Sequence, residues 1–431
     1  MIYHLFQALK DYDIPGQGLM NYLSFRAMMA SVTAVLLALF AGKPIIGWLQ
    51  RKQIGETVRD LGLADQVQKK GTPTMGGIII IASLLGGVLL WCDLTNVYVQ
   101  LLLLATVWCG ALGFTDDYIK VFKHNKEGMS EKAKLIGQVV LGFLVGLTVW
   151  MSNDIVVREK VASEVTYESG LTVDSEPVIT SGAFQEEDVV KSTKTTIPFV
   201  KRHEFDYKWL SPFKGAMGWY TKWAIYVLMI VLVITACSNG TNLTDGLDGL
   251  AAGTSAIVGL VIGILAWLGG NLIDSNYLNI MYIPGSGEIA IFMAAFVGAL
   301  IGFLWYNSFP AQVFMGDTGS LTIGGIIGVA AVLIRKELLL PLLCGIFFVE
   351  SLSVLLQRTY FKWTKKRNGG QGTRIWSMTP LHHHYQDKKE PDGVILIHKP
   401  VPPHHEVKIV TRFWIIGIIL AVATLGLLKV R

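Results

Sequence analysis

Charge is scarce in this chain: Asp, Glu, Lys and Arg make up 16% of 431 residues, against 52% apolar side chains and a mean hydropathy of +0.47. So few charges exclude a soluble enzyme with a solvated surface. Cysteine is scarce as well. Cys92, Cys109, Cys237 and Cys344 lie in or at the ends of apolar runs without a CxxC pair, which points away from a disulfide framework and from a zinc site. No GxxxxGK[ST] stretch occurs, so a bound nucleotide is not held by a P-loop, and Gly16 and Gly18 lack the third glycine of a dinucleotide fingerprint. The first 20 residues contain Lys10, Asp11, Asp13 and Pro15 and no compact apolar core before a cleavage site, unlike a signal peptide.

Apolar runs are what the chain has in abundance. Crossing roughly 30 Å of hydrocarbon takes about 17 to 25 residues of helix. Ten runs approach that length, near 24–42, 76–91, 97–114, 133–151, 221–237, 248–268, 289–306, 320–334, 338–361 and 410–428. The expected fold class is an all-α polytopic membrane protein of about ten transmembrane helices. Lys and Arg number 22 in the loops 43–75, 115–134 and 358–412, against 6 in 1–26, 335–337 and 429–431. Cytoplasmic loops carry such an excess, which places both termini on the outer, periplasmic side.

Residues 152–220 break the pattern. They are long, polar and nearly balanced in charge, and 156–180 alternate Val, Thr and Ile with charged or small residues. That suggests either strands of a small β-containing periplasmic insertion or an irregular loop. The chain therefore divides into helices one to four (1–151), the insertion (152–220) and helices five to ten (221–431).

Polar clusters follow the first, third, fifth, seventh and ninth runs. The first ends in Lys69, Lys70 and TPTMGG (72–77), where Pro73 and paired glycines favour a bend with exposed N–H groups beside two lysines, suited to a phosphate or to a plain helix start. The third gives GFTDDYIK (113–120), in which Lys120 can offset Asp116 and Asp117, as two adjacent acids do not both ionise without a nearby cation. Lys123, Lys126, Lys132 and Lys134 follow and attract an anionic headgroup or nucleotide. NLTDGLDGL (242–250) sets Asp245 and Asp248 three apart, on one face if helical, and either acid also suits an N-cap. FMGDTGSL (314–321) holds Asp317 at a helix start, where it either caps the helix or draws in a divalent cation. The ninth run carries Glu350, Ser351, Ser353 and Gln357, which face the bundle rather than lipid. PLHHHY (380–385) holds His382, His383 and His384, whose directions on a helix diverge by about 100° each, so phosphate binding or orientation of a carboxylate suits them better than a shared metal. All five clusters fall on the inner face, and one shared site is the economical explanation. Acids, lysines and helix N-termini together suit magnesium (Mg2+) held between carboxylates and substrate phosphates.

These five motifs in this order closely resemble the phospho-N-acetylmuramoyl-pentapeptide transferases, members of the polyprenyl-phosphate N-acetylhexosamine-1-phosphate transferase superfamily. The resemblance covers nearly the whole chain except 152–220, which the common form lacks. It implies a Mg2+-dependent enzyme of the bacterial inner membrane, a homodimer with its active site on the cytoplasmic face. Undecaprenyl phosphate would attack UDP-N-acetylmuramoyl-pentapeptide there, giving lipid I and UMP. By the same resemblance Asp317 is the metal-binding acid, Asp116 and Asp117 are the acidic pair with Asp116 the candidate base, and Asp245 lines the site next to Asn242. His382 is required for activity, Lys69, Lys120 and Lys134 face phosphate, and Leu243, Gly246, Asp248, Asn307 and Phe314 form the uridine pocket. Thr74, His383 and His384 complete the expected substrate contacts. Two other readings remain: a UDP-N-acetylglucosamine:polyprenyl-phosphate transferase, and a cation-coupled transporter. Transporter acids usually sit near the midplane, whereas these sit at one face.

Overall fold

The computed structural model describes residues 1–12, 16–52, 71–123, 125, 127–158, 189–197, 204–278, 280–387 and 394–428. A helix stands on each of the ten apolar runs. In order the helices are α1 (Ile2–Ala8), α2 (Leu23–Lys52), α3 (Gly77–Trp91), α4 (Val97–Phe122), α5 (Glu131–Met151), α6 (Gly215–Thr244), α7 (Leu250–Gly270), α8 (Leu272–Leu278), α9 (Gly287–Asn307), α10 (Gly316–Leu333), α11 (Leu340–Leu343), α12 (Gly345–Arg367), α13 (Leu381–Gln386) and α14 (Glu406–Leu427).

Eight of these, α2, α4 to α7, α9, α10 and α14, are long and apolar enough to cross a membrane. The ninth run is broken: the segment Glu337–Leu343 meets α12 at 78°, and counting the pair as one span gives nine. Helix α3 has 15 residues, about 22 Å at ~1.5 Å per residue, which is less than the hydrocarbon thickness. The sixth helix begins at Gly215, inside the stretch assigned by sequence to the insertion.

Helix α10 lies at the centre, against α3, α4 and α6. Every residue from Thr318 to Leu333 is buried, and only Gly316 and Asp317 at its start reach solvent. Such a helix approaches its neighbours backbone to backbone, which takes small residues at the contacts. A Cβ on Gly113 of α4 would stand 2.1 Å from the Asp317 carbonyl oxygen, and one on Gly324 would stand 2.3 Å from the Cys237 carbonyl oxygen of α6. The turn of α4 that carries Gly113 is thereby seated on the first turn of α10.

Two short antiparallel hairpins sit at the far end of α10. Strand β1 (Val157–Arg158) pairs with β2 (Val189–Val190), and β3 (Lys194–Thr196) with β4 (Glu204–Asp206). Most of the strand expectation for 156–180 falls outside the described residues. The hairpins fasten onto three neighbouring loops. Arg158 N donates to the Tyr282 carbonyl at 3.0 Å, and Lys191 Nζ to the Met151 carbonyl at 3.1 Å. Thr196 N donates to the Arg335 carbonyl at 3.0 Å, Lys336 Nζ to Thr196 Oγ1, and Tyr207 OH to Glu337 Oε1 at 3.2 Å. The turn Arg335–Lys336–Glu337 is buried under this clasp.

Burying Lys336 pushes its ammonium down from the ordinary 10.5 to about 8, the attraction of Glu337 and Glu204 offsetting only part of the desolvation. Below pH 8 the amine is charged in the folded and unfolded chain alike, and the burial cost is felt in full. Between the two values the unfolded chain binds more protons, so stability rises with pH. Lys336→Met should raise thermal stability in detergent at pH 7 by about 1–2 kcal/mol. Melting curves at pH 7 and pH 10 check this, the gap between variant and parent narrowing at the higher pH.

Candidate active site

Adjacent residues on a helix point about 100° apart, and the acidic pair in the penultimate turn of α4 splits accordingly. Asp116 faces α5 and Asp117 faces α10. Asp116 is fully buried and accepts from Met129 N at 2.6 Å. Lys120, one turn on, reaches Asp116 Oδ2 at 2.5 Å, and Lys134 from the first turn of α5 reaches Asp116 Oδ1 at 3.0 Å. The sequence expected Lys120 to serve both acids of the pair. Asp117 is instead offset by the start of α10: it accepts from Asp317 N at 3.1 Å, Thr318 N at 2.8 Å and Thr318 Oγ1 at 2.6 Å. A carboxylate at a helix N-terminus satisfies orphan N–H donors and faces the positive end of the dipole. Asp117 therefore does the capping that the sequence weighed for Asp317.

Asp317 is left to face the site. Lys134 Nζ and Lys120 Nζ approach its Oδ2 at 2.5 and 3.2 Å, and Asn242 Nδ2 donates to its Oδ1 at 2.9 Å and to Ser320 Oγ at 2.9 Å. Among the described residues, Asp116, Asp117 and Asp317 are the one group of three or more His, Cys, Asp or Glu whose ligand atoms lie within 4.8 Å of one another. Three carboxylates against two ammoniums leave a net negative cluster of oxygen donors. That is the donor set a hard divalent cation such as Mg2+ takes. No cluster of the histidines qualifies among the described residues: His405 Nδ1 accepts from Val407 N at 3.3 Å, and His404 Nε2 lies 3.0 Å from Arg412 Nη1.

The stretch 242–250 is not one helix. Helix α6 ends at Thr244, Asp245 is its C-cap, and α7 starts only at Leu250 behind Gly249 with φ +78°. The shared helical face expected for Asp245 and Asp248 is therefore absent, because α6 has ended before the first of them and α7 begins after the second. Asp248 is buried and turned away, its Oδ2 accepting from Ala311 N at 3.0 Å while its N–H donates to Glu406 Oε1 at 2.6 Å. Asn307, also buried, accepts from Gly249 N at 3.0 Å and donates to the Val313 carbonyl at 2.9 Å. Asp248 and Asn307 thus tie the turn to 311–313. Asp245, Gly246, Leu243 and Phe314 stay half-buried beside it.

The TPTMGG bend also differs from its expected form. Gly76 N and Gly77 N donate to the Phe314 and Met315 carbonyls at 2.8 and 2.9 Å, and Phe314 N donates to the Pro73 carbonyl at 2.8 Å. The backbone donors expected to await a phosphate are spent on this strand-like pairing. What the bend offers the site is Thr74: a Cβ on Gly316 would stand 2.9 Å from Thr74 Oγ1 and 2.6 Å from Asp117 Oδ2. Lys69 lies outside the described residues.

The three histidines diverge on α13. His382 is fully buried, with Nε2 so close to Gly246 that a Cβ there would meet it at 2.1 Å. Glu350 of α12, also fully buried, accepts from His382 N at 3.1 Å and lies 3.3 Å from its Nδ1. The His383 ring lies tilted against that of His382, centroids 4.2 Å apart, whereas His384 turns back into its own loop, 3.0 Å from Ser377 Oγ, and burial pushes its imidazole down. Glu350→Ala orphans a buried N–H, a change worth about 1–3 kcal/mol. Turnover should fall at least about tenfold, with Glu350→Gln, which keeps an acceptor, retaining more. Steady-state kinetics of the two variants check this.

Sequence reading missed Glu350 and Glu406 as site supports. Glu350 was visible as an acid inside an apolar run, but its partner lies 32 residues away. Glu406 looks like an ordinary first-turn acid of α14, and nothing local signals that it holds the Asp248 amide.

Known proteins carry the same sequence features. A sequence model described as Glycosyl transferase family 4 matches residues 190–335, and a phospho-N-acetylmuramoyl-pentapeptide-transferase signature matches residues 69–81. Proteins named phospho-N-acetylmuramoyl-pentapeptide-transferase from Parabacteroides distasonis, Flavobacterium psychrophilum and Porphyromonas gingivalis are 54%, 52% and 51% identical, each over the whole of both chains. Those end-to-end alignments run through 152–220, so the segment is not peculiar to this chain.

Proposed function

Because the chain belongs to the phospho-N-acetylmuramoyl-pentapeptide transferases, we propose that it transfers phospho-N-acetylmuramoyl-pentapeptide from its UDP donor to undecaprenyl phosphate. UMP leaves, and lipid I, the first lipid-linked precursor of peptidoglycan, remains in the membrane. The observation that carries the reading is the convergence of Asp116, Asp117 and Asp317 with Lys120, Lys134 and Asn242 at one end of the helix bundle.

Asp317, with Asp116 beside it, is the residue we assign to hold Mg2+. When bound, the ion draws charge from the phosphate oxygens and steadies the leaving group. Lys120 and Lys134, which bridge Asp116 and Asp317 in the protein alone, supply the positive charge a diphosphate meets on entry. An oxygen of the lipid phosphate attacks the sugar-linked phosphorus, the bond to the bridging oxygen breaks, and UMP departs with the electron pair. The lipid phosphate, a monoester with a second pKa near 6, is mostly dianionic at neutral pH and needs little help in losing a proton. Asp116, with an ammonium on each oxygen, suits placement of charge rather than proton removal. Positioning and charge neutralisation then supply most of the rate, as in phosphoryl transfer generally. His382, held by Glu350 against the Asp245–Gly246 turn, lines the donor side together with Leu243, Phe314 and Thr74.

The excess of Lys and Arg in the loops at this end supports a site at the cytoplasmic face of the inner membrane. The same reading has two chains pair as a homodimer, which sedimentation in detergent tests directly. The decisive experiment supplies purified protein with undecaprenyl phosphate and Mg2+, offers UDP-N-acetylmuramoyl-pentapeptide and UDP-N-acetylglucosamine separately, and measures UMP. Release with the muramoyl-pentapeptide alone is expected. Release with N-acetylglucosamine alone moves the chain to the sibling specificity, and release with neither overturns the reading.

A further inference from the structure

One helical turn deeper than the charged cluster, α5 and α6 are joined by a pair of amides. Gln138 is buried to 1% exposure inside an otherwise apolar stretch of α5. Its Oε1 accepts from Asn239 Nδ2 at 2.8 Å, and its Nε2 donates to Asn239 Oδ1 at 3.3 Å and to Ser238 Oγ at 3.1 Å. Ser238 Oγ in turn donates to the Leu321 carbonyl of α10 at 3.2 Å, and Asn239 Nδ2 also donates to its own helix at the Thr235 carbonyl, 2.9 Å away. Three helices meet in this network, and they are the three that bring Lys134, Asn242 and Asp317 together.

The spacing ties the network to the site. Gln138 is four residues after Lys134, and Asn239 three before Asn242, so each amide lies on the same helix face as a partner of Asp317. Elsewhere α5 and α6 touch through glycines: a Cβ on Gly142 would stand 2.7 Å from Val231 Cα, and one on Gly146 would stand 2.8 Å from Val227 Cγ1. Such smooth contacts fix the distance between two helices but resist sliding weakly. A reciprocal amide pair resists it strongly, because a slide of one residue, about 1.5 Å, breaks both of its hydrogen bonds in a setting without water to replace them.

We propose that Gln138 and Asn239 are positioning residues, a clamp that sets the axial register of α5 against α6 and so places Lys134 and Asn242 on Asp317. The clamp touches neither substrate nor metal. Its catalytic meaning rests on the transferase reading above; its effect on the geometry of Asp317 does not.

The test measures two quantities in parallel: Mn2+ binding to the purified protein without substrates, by electron paramagnetic resonance, and kcat and KM from UMP release. Gln138→Asn shortens one arm and should weaken Mn2+ binding and lower kcat, each about tenfold, with donor KM within about twofold and Tm nearly unchanged. The exchanged pair, Gln138→Asn with Asn239→Gln, keeps the summed reach and should recover most of both losses. Gln138→Leu should match or exceed the single loss. Binding and kcat at parental values in Gln138→Asn and Gln138→Leu overturn the clamp, and so does an exchanged pair no better than Gln138→Asn. If Gln138→Leu fails to fold, the comparison of Gln138→Asn with the exchanged pair still decides. Failure of the transferase reading shows separately, as Mn2+ binding that follows this pattern without UMP release from the parent; a parent that neither binds Mn2+ nor releases UMP overturns both.

Discussion

Asp317→Ala should abolish UMP release, lowering kcat by about a thousandfold or more, while leaving the melting temperature close to that of the parent. The carboxylate is the point at which Lys120, Lys134 and Asn242 converge, and preorganised charge of this kind in a water-poor site typically carries several kcal/mol of transition-state stabilisation. It contributes less to the fold. Asp317 stands half-buried in the first turn of α10, does not cap that helix, and its removal leaves both lysines paired with Asp116. Asp317→Asn separates charge from hydrogen bonding, since the amide can still meet Asn242; activity should be lost almost as completely. Mn2+ titration of the same variants should show the binding step lost along with turnover. A Mn2+ affinity unchanged in Asp317→Ala would remove the metal assignment even if activity fell.

Asp117→Ala should behave in the opposite sense, losing stability first. Its two oxygens accept three hydrogen bonds from the start of α10, and the alanine leaves two N–H groups and a hydroxyl without partners in a buried place. Orphaned donors and a lost cap together cost about 2–4 kcal/mol. The melting temperature should drop by many degrees, and turnover about a hundredfold, because the first turn of α10 is what aims Asp317. Asp117→Asn retains one acceptor oxygen and should recover part of both. Thermal unfolding and kinetics measured side by side on the variants at 117 and 317 give two contrasting signatures. Equal stability in Asp117→Ala and the parent would show that the cap is dispensable and that the residue acts on substrate instead.

The contrast shows what sequence could and could not tell. Apolar runs located every long helix, since hydrocarbon thickness sets helix length, and the ordered motifs identified the chemistry. The division of labour between two neighbouring aspartates was not visible, because it depends on which element packs on each side of α4. Nor was the break at 245–249: glycines flanking acids fit a capped helix and a helix-to-helix turn alike until the partners at Ala311, Asn307 and Glu406 are known. The spent amides of Gly76 and Gly77 make the same point, since their acceptors lie some 240 residues away, at 314 and 315. Long-range backbone pairing leaves no local trace.

The first hairpin on the far side of the molecule sets Arg158 beside Val189 in register. The chain therefore leaves the bundle and comes back at the same spot, whatever lies between those two residues. Closing a loop across a fixed gate costs free energy only as the logarithm of its length, about 0.6 kcal/mol for each doubling. A fluorescent protein or an epitope spliced in at that gate should leave the transferase chemistry intact. Over longer times the same tolerance lets a lineage lengthen a membrane enzyme on the side where nothing reacts.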